Sequence, residues 1–151
     1  ARAYIGLCHG WLAPSRRDVQ TLVHWTVGDA ATASSVPSSG PGRPSRTRFR
    51  LKAHSLDERR ADALSLVTFT IVTGRRHQIR THGAHVGHPI VSDGRYSSEA
   101  VFLSDSKWCP RTFLHRHRIG FRDSAGMVHN VDGPLPPDLI ESLSNTVLRA
   151  G

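Results

Sequence analysis

Two short segments in which apolar and polar residues alternate constrain the fold more than any other feature of the sequence. The apolar positions are Phe49, Leu51 and Ala53 in the first segment and Val67, Phe69 and Ile71 in the second. A period of two is the pattern of a β-strand that buries one side and exposes the other. Because antiparallel sheets commonly keep one face in solvent, the two segments predict an antiparallel sheet.

The polar side of the first strand is strongly basic, with Arg48, Arg50 and Lys52 at alternate positions. Such a side contacts phosphate if it borders a cleft, and it is simply hydrated if it does not. The sequence leaves both alternatives open.

Other segments predict further strands and one irregular stretch. Residues 2–12 contain an apolar run, residues 23–27 form a second short candidate strand, and residues 114–121 alternate with Ile119 and Phe121 directed inward. Residues 29–45 consist mainly of Ala, Ser, Pro and Gly, which bury too little apolar surface to become ordered. We therefore expect a single domain over residues 1–151 with a flexible insertion at residues 29–45.

Helical spacing occurs in two places. After Gly74, residues that suit a helix recur every three or four positions until Gly87: Ile79, His82, Gly83 and Val86. A second helix is predicted to begin near Pro136 and to carry one apolar side, formed by Leu139, Ile140, Leu143, Val147 and Leu148.

The charge balance indicates a polyanionic partner. Twenty Lys and Arg residues against twelve Asp and Glu give a net charge of +8 and a pI near 10.9. Nucleic acid is therefore the leading partner, and arginine, which supplies eighteen of the twenty cations, suits bidentate phosphate contacts. A GC-rich genome would also enrich arginine, but it would not explain the net charge.

The remaining composition argues against several other classes of protein. Cys8 and Cys109 form no C-x-x-C pair, so neither a disulfide framework nor a thiolate zinc site is indicated. No apolar run is long enough to span a membrane. We expect an intracellular protein without a membrane partner. The chain begins at Ala1 and its only methionine is Met127, so we expect either that an initiator was trimmed or that the chain is a piece of a longer protein.

The densest group of polar residues lies at a predicted strand-to-helix junction, residues 73–80. The sequence there is TGRRHQIR, with three arginines, a histidine and an amide in eight positions. Backbone N–H groups at a helix start attract anions, and guanidinium groups clamp phosphates or carboxylates. Helical spacing would place Arg76 and Arg80 on one face and Arg75 and Ile79 on another.

The run TGRRHQIRTHGAHVGHPIVSDGRY at residues 73–96 resembles the signature of RluA-type pseudouridine synthases, TGR-x-HQIR-x-H followed by GHPI and G-D-x-x-Y. Residues 2–6 are similar to the family's K-x-Y-x-A strand, and residues 114–136 to its L-H-A…L-x-F…P-L-P ending. The resemblance covers almost the whole chain outside the insertion, but only about half of a complete catalytic domain. It implies an α+β fold, mainly an antiparallel sheet with flanking helices, with an RNA cleft across one face.

The resemblance also implies an activity and roles for individual residues. Enzymes of this family isomerise uridine to pseudouridine in ribosomal or transfer RNA, with no metal and no organic cofactor. Tyr4 would stack on the flipped uracil, and Arg80 would pair with the catalytic aspartate. The predicted RNA-binding or pocket residues are Arg75, Arg76, His77 and Gln78.

The sequence departs from the family pattern at several positions. Gly6 stands for the usual Ala, Ser92 for Gly, and Arg116 for the Ala that usually follows the histidine. The family's H-R-L-D-x-x-T-S-G element, which carries the nucleophilic aspartate, lies upstream of the tyrosine strand and is absent from this sequence. Residues 54–57 echo it, but they fall between two predicted strands and lack T-S-G.

Other interpretations of the same residues remain open. His82 and His85 share a predicted helix face and would suit a metal site if a third ligand lay nearby. Tyr4, taken alone, is a core residue of an apolar strand. The chain is predicted to be inactive alone and to need the N-terminal half of its domain. The second hypothesis is a catalytically inactive module, derived from such a synthase, that binds RNA or assists ribosome assembly.

Overall fold

The computed structural model describes residues 2–29 and 31–150 of the chain, which form one mixed α+β unit. In chain order the elements are β1 (Arg2–His9), β2 (Asp18–Val23), β3 (Arg43–Asp57), β4 (Ala63–Ile71), α1 (Gln78–His85), α2 (Glu99–Ser106), β5 (Leu114–Arg122), β6 (Val128–Asp132), α3 (Pro137–Leu143) and β7 (Thr146–Ala150).

The strands form a single sheet in which every pair is antiparallel. The order is β2-β3-β4-β1-β5-β6, and β7 pairs with the C-terminal half of β3. The prediction of an antiparallel sheet with flanking helices is confirmed. The first strand, the two alternating segments and helix α1 also lie where the sequence placed them.

Alternation along β3 and β4 gives the sheet two different faces. Phe49 and Phe69, which face each other across the strands, are buried and pack edge to face with ring centroids 5.0 Å apart. Together with Ile71 and Ile79 they form one apolar core between the sheet and helix α1. This first face, which α1 covers, carries the candidate site.

A second apolar cluster packs elsewhere in the fold. Leu7 of β1 and Leu64 of β4 pack with Trp108, Phe113 and Leu139, and all five are at most 8% exposed. Because Leu7 alternates with Gly6 and Cys8, this cluster lies on the opposite face of the sheet from the α1 core. It covers only part of that second face.

Three predicted boundaries are wrong. The second strand spans Asp18–Val23 and not residues 23–27, because its hydrogen-bonded partners on β3 are Arg43 to Arg48. Strand β3 continues through residues 54–57, which were predicted to lie between strands. The C-terminal helix ends at Leu143, and Val147 and Leu148 belong to β7, where they complete hydrogen bonds with β3.

Two further expectations concern side chains and the insertion. Phe121 was predicted to point inward, but it is 47% exposed, because β5 and β6 project at the edge of the sheet. The side chain of Ile119 lies outside the described part of the structure. Within residues 29–45, Ser34 and Ser45 are buried and β3 begins at Arg43. The flexibility of that segment remains a prediction.

Among the described helices, none has the length and apolar character needed to cross a bilayer.

Candidate functional site

A hollow of about 210 Å³ opens where β1 meets the start of α1. We call it the Tyr4–Arg80 hollow, after the residues that β1 and α1 contribute. Five of the six residues singled out in the sequence line it: Tyr4, Arg75, His77, Gln78 and Arg80. Arg2, Gly74 and Leu114 complete its rim and Ile71 and Ile79 its floor. The structure therefore brings residues about seventy positions apart into one cavity.

Arg80 is fixed by a carboxylate within the same chain. Its Nε donates to Oδ2 of Asp93 at 2.8 Å and its Nη2 donates to Oδ1 at 2.7 Å. The Asp93 side chain is fully buried and that of Arg80 is 22% exposed. These hydrogen bonds raise the pKa of Arg80, so its guanidinium stays charged at any physiological pH.

Asp93 does not line the hollow itself. It holds Arg80 from behind and also organises the loop after α1. Its Oδ1 accepts hydrogen bonds from the backbone N–H groups of Arg95 and Tyr96. These contacts, with the two from Arg80, fix the buried carboxylate in place. The third guanidinium nitrogen of Arg80, Nη1, takes no part in the pair.

Tyr96 ties this loop to the start of helix α1. Its ring lies 5.1 Å from the guanidinium carbon of Arg80, within cation–π range. Its phenol oxygen is 2.8 Å from Nδ1 of His77 and accepts a hydrogen bond from the backbone of Ser34. Arg80 is therefore held by a carboxylate and by the face of an aromatic ring.

His77 begins helix α1 in a left-handed conformation, with φ 53°. Because of this turn Arg76 precedes the helix, so the predicted shared helix face of Arg76 and Arg80 is wrong. Burial and then the nearby charges of Arg80 and Arg76 lower the pKa of His77. The imidazole is thus neutral in the hollow at physiological pH.

The side chain of Gln78 links the start of α1 to β3 through hydrogen bonds. Its Oε1 accepts hydrogen bonds from the Thr73 hydroxyl and from the Arg75 backbone. Its Nε2 donates to the Arg46 carbonyl and to the Thr47 hydroxyl. The residue is only 2% exposed, so its amide is committed to local structure, while RNA binding by Gln78 remains a prediction.

Arg75 and Arg76 lie on two sides of the helix start. Nε of Arg75, which lines the hollow, donates to the Pro44 carbonyl at 3.0 Å. Nη1 of Arg76, which does not line it, donates to the carbonyls of Asp29 and Thr32. The Ser34 hydroxyl donates to the Arg76 carbonyl, so the Ser/Pro/Gly-rich segment is joined to the start of α1.

Two arginines contact the residues on the other side of the hollow, Arg116 at Tyr4 and Arg2 at Gly74. Nε of Arg116 on β5 donates to the Tyr4 hydroxyl at 3.2 Å, and its guanidinium carbon lies 5.6 Å from the ring centroid. Arg2 lies against Gly74, so closely that a β-carbon at Gly74 would collide with its guanidinium. Gly74 therefore permits this approach.

His82 belongs to the packing between α1 and the sheet. Its ring is completely buried, with the Thr21 hydroxyl 2.8 Å and the Ser45 hydroxyl 3.1 Å from Nε2, and the Thr47 hydroxyl 2.7 Å from Nδ1. Burial lowers its pKa to about 4. Both nitrogens have hydroxyl partners, and in the described chain no group of three His, Cys, Asp or Glu residues is placed to hold a metal.

The chain is similar in sequence to curated pseudouridine synthases. Ribosomal large subunit pseudouridine synthase C of Salmonella typhi is 36% identical over 116 residues, which are 74% of this chain and 34% of that protein. The protein of the same name from Haemophilus ducreyi is 42% identical over 90 residues, 57% of this chain and 25% of that protein. No protein-family model matches the chain.

The fold agrees with a solved structure over nearly its whole length. Human RNA Pseudouridylate Synthase Domain Containing 1 superimposes with a TM-score of 0.79 and 25% identity, covering 99% of this chain and 60% of that one. The chain belongs to the RluA-type pseudouridine synthase family. It spans about a third or less of the length of these curated relatives and has the fold of part of the catalytic domain.

Three features of this RluA-type site could not be read from the family motif alone. Asp93 was visible in the S-D-x-x-Y element, but its pairing with Arg80 was not, because the motif suggested an upstream aspartate as the partner. Tyr96 is the last residue of the same motif, but the motif does not show that its ring lies against Arg80. Arg116 was noted as a departure, yet its contact with Tyr4 depends on the pairing of β1 with β5.

Proposed function

We propose that this chain is the C-terminal part of the catalytic domain of an enzyme that isomerises uridine to pseudouridine in ribosomal or transfer RNA. One observation carries the proposal: Tyr4 and Arg80 line a single hollow, and Arg80 is held rigidly on its side of it. The aromatic ring of Tyr4 suits stacking by a base that has flipped out of the RNA. The fixed cation of Arg80 suits a carboxylate that acts on that base.

The base would enter the hollow by flipping out of the RNA, since its reacting atoms are inaccessible within a stack. Tyr4 offers a ring on which uracil can stack, and the apolar floor of Ile71 and Ile79 excludes water from below. His77, neutral because of its surroundings, can exchange hydrogen bonds with the polar edge of a base without adding charge.

The nucleophile is proposed to come from outside this sequence. The hollow, as far as the described residues form it, is lined by four basic or imidazole side chains and by no carboxylate. A carboxylate that entered it from an upstream H-R-L-D-x-x-T-S-G segment would meet Arg80, which would keep it ionised and oriented. Asp93 supports this role by fixing two of the three guanidinium nitrogens.

The charge of the chain supports RNA as the substrate. A net charge of +8 attracts a polyanion, and arginines at the rim of the hollow can contact the phosphates that flank a flipped nucleotide. Binding should therefore weaken steeply as salt increases, because phosphate contacts release counterions.

The test compares two polypeptides, this chain and the same chain extended by its upstream coding sequence. Tritium release from RNA labelled at uridine C5 reports the reaction, because that hydrogen is lost when C5 joins the ribose. We expect release with the extended protein and none with the chain alone. Robust turnover by the chain alone would show that the nucleophile lies within it and would contradict the proposal.

Variants of the extended protein define the role of Arg80. Arg80→Ala is expected to lower turnover at least a thousandfold while RNA affinity changes less than tenfold, because the loss falls on the reacting carboxylate. Arg111→Ala, which removes an exposed arginine paired with Asp138 at the surface, is the matched control and should behave like the parent. Equal losses of binding and turnover in Arg80→Ala would indicate a simple phosphate contact.

An inactive RNA-binding module is the second candidate, and it is favoured because the described residues that line the hollow include no carboxylate. In that case the extended protein would bind RNA with the same salt dependence and release no tritium. The two candidates thus differ in one measurement on one polypeptide.

A further inference from the structure

The second face of the sheet carries a groove of about 750 Å³ that is separate from the Tyr4–Arg80 hollow. We call it the arginine groove. Its basic lining is formed by Arg17, Arg46, Arg48, Arg50, Arg118 and His117. We propose that this groove is a second RNA-binding surface, which holds the phosphodiester backbone of an RNA segment distant from the target uridine.

The register of the strands places the groove behind the active face. Arg48 pairs with Thr70 and Arg50 with Thr68, and Thr70 pairs in turn with Ala3 of β1. Ala3 precedes Tyr4, so the two side chains lie on opposite faces of the sheet. An RNA loop seated in the hollow therefore cannot fill the groove as well.

The groove concentrates positive charge that the protein itself does not neutralise. Five arginines line it against the single carboxylate of Asp18. Asp18 pairs with Arg46, and Asp132 beyond the lining pairs with Arg118. Arg17 and Arg50 form no ion pair with a carboxylate among the described residues, and Arg48, which lies opposite Asp18 across β2 and β3, shares that single carboxylate with Arg46.

The spacing of these cations costs the fold some stability. Alternate residues of a strand are about 7 Å apart, so the exposed guanidinium groups of Arg46, Arg48 and Arg50 repel one another along one edge of the groove. A bound polyanion would relieve that repulsion. The pairs with Asp18 and Asp132 are solvent-exposed, and exposed pairs are weak enough for phosphate to replace the carboxylates.

The chemistry of the lining favours nucleic acid over an apolar partner. Guanidinium groups suit bidentate phosphate contacts, and the hydroxyls of Thr68 and Thr70 can donate to phosphate or ribose oxygens. The contacts would be to the backbone and would carry no base sequence. The groove would thus increase affinity for long structured RNA, and this part of the inference rests on the proposed RNA substrate.

The test compares two double variants that remove the same charge from different surfaces of the extended protein. Arg48→Ser/Arg50→Ser alters the groove, and Arg59→Ser/Lys107→Ser alters an exposed surface elsewhere. Each is measured with a minimal stem-loop that contains the target uridine and with the same stem-loop inside a longer folded RNA. All four residues are exposed, and thermal unfolding checks that both variants fold.

We expect the groove variant to lose about tenfold affinity for the long RNA, with the slope of log K against log salt reduced by about 2. Its affinity for the minimal stem-loop and its tritium release on that substrate should remain within about twofold of the parent. The surface variant should match the parent on both RNAs. Equal losses in both variants, or an unchanged affinity for long RNA, would overturn the inference.

A crosslink locates the contact directly. Cys8 and Cys109 are buried, so a cysteine introduced by Thr70→Cys can be labelled selectively with a photoreactive group. We expect it to crosslink to the long RNA outside the target loop, whereas crosslinks within the target loop would contradict a separate surface. If stem-loop activity persists while no crosslink forms, the inference fails and the proposed function stands.

Discussion

Arg80 and Asp93 form a bidentate ion pair in which the carboxylate is fully buried and the guanidinium reaches the Tyr4–Arg80 hollow. The pair connects helix α1 to the loop that follows it, and the ring of Tyr96 lies against the same guanidinium. The side chain proposed to orient the catalytic carboxylate is thus fixed before any substrate or upstream segment arrives. Such preorganisation reduces the cost of ordering the site during the reaction.

Asp93→Asn should therefore destabilise the fold and disorganise the hollow. Removing one partner leaves Arg80 without its counterion, and breaking a buried pair is costly, so we expect a loss of about 2 kcal/mol or more in the free energy of unfolding. Urea denaturation measures it. Asp138→Asn, which breaks the exposed pair with Arg111, is the control and should cost less than about 1 kcal/mol. Similar losses in both variants would mean that burial of Asp93 adds nothing.

Arg116 is expected to contribute to RNA affinity and not to the chemical step. It lies beside the ring and hydroxyl of Tyr4, which lines the hollow, at a position where family members usually have alanine. Arg116→Ala in the extended protein should keep kcat within about twofold, raise KM several-fold, and reduce the salt slope of binding by about 1. A large fall in kcat with unchanged KM would instead make Arg116 a positioning residue for the Tyr4 phenol.

The buried imidazole of His82 predicts a loss of stability in mild acid. Its folded pKa of about 4 lies below the ordinary value of 6.5, so the unfolded chain binds more protons between these two values. The contribution of His82 is complete above pH 6.5 and is lost as the pH falls toward 4, by about 3 kcal/mol in all.

Unfolding free energies at pH 7.5 and 4.5 test this prediction. His82→Gln should flatten the dependence on pH, although it will also lower stability at neutral pH. His85→Gln, on the same helix but exposed, should keep most of the dependence, because burial is the larger cause of the lowered His82 pKa and the charge of His85 the smaller. An equal slope in the parent and in His82→Gln would show that other groups dominate.

The parts of the fold that the sequence predicted are those in which one period dominates locally. Phe49 and Phe69 sit in strands with strict alternation, and Ile79 sits in a helix bounded by Gly87. Where tertiary pairing competes with local preference, the prediction failed. Val147 and Leu148 continue the apolar pattern of α3, yet they form β7 because strand β3 offers free backbone groups.

The candidate site shows the same division. Tyr4 and Arg80 were found because the family motif marks each of them, and their meeting in one hollow needed only β1 to lie beside α1. The contact of Arg116 with Tyr4 could not be predicted, because it depends on the exact register of β1 and β5, which contains an irregularity between Ala3 and Tyr4. The left-handed backbone of His77, which separates Arg76 from the helix, has only a weak signal in residue type, because histidine is enriched in that conformation but adopts it in few cases.

Gly6 gives a test of how tightly the floor beneath the hollow is packed. A β-carbon there would lie 2.8 Å from Cε2 of Phe69, which is fully buried, and 3.3 Å from the Phe113 carbonyl oxygen. Although family members usually have alanine at this position, Gly6→Ala in this chain should lower the free energy of unfolding by about 1–3 kcal/mol, because the core must shift to admit the methyl group.

A second substitution shows whether Phe69 is the cause. Phe69→Leu alone removes buried volume and destabilises, but in combination with Gly6→Ala it makes room for the methyl group. The double variant should therefore lose at least about 0.5 kcal/mol less than the sum of the single variants. Gly133→Ala, where the nearest atom would be 4.0 Å away, is the control and should change stability by no more than about 0.5 kcal/mol. Strict additivity of the two core substitutions would mean that the strain falls on the Leu114 side chain or the Phe113 backbone, each of which has an atom 3.3 Å from the added carbon, and not on the ring.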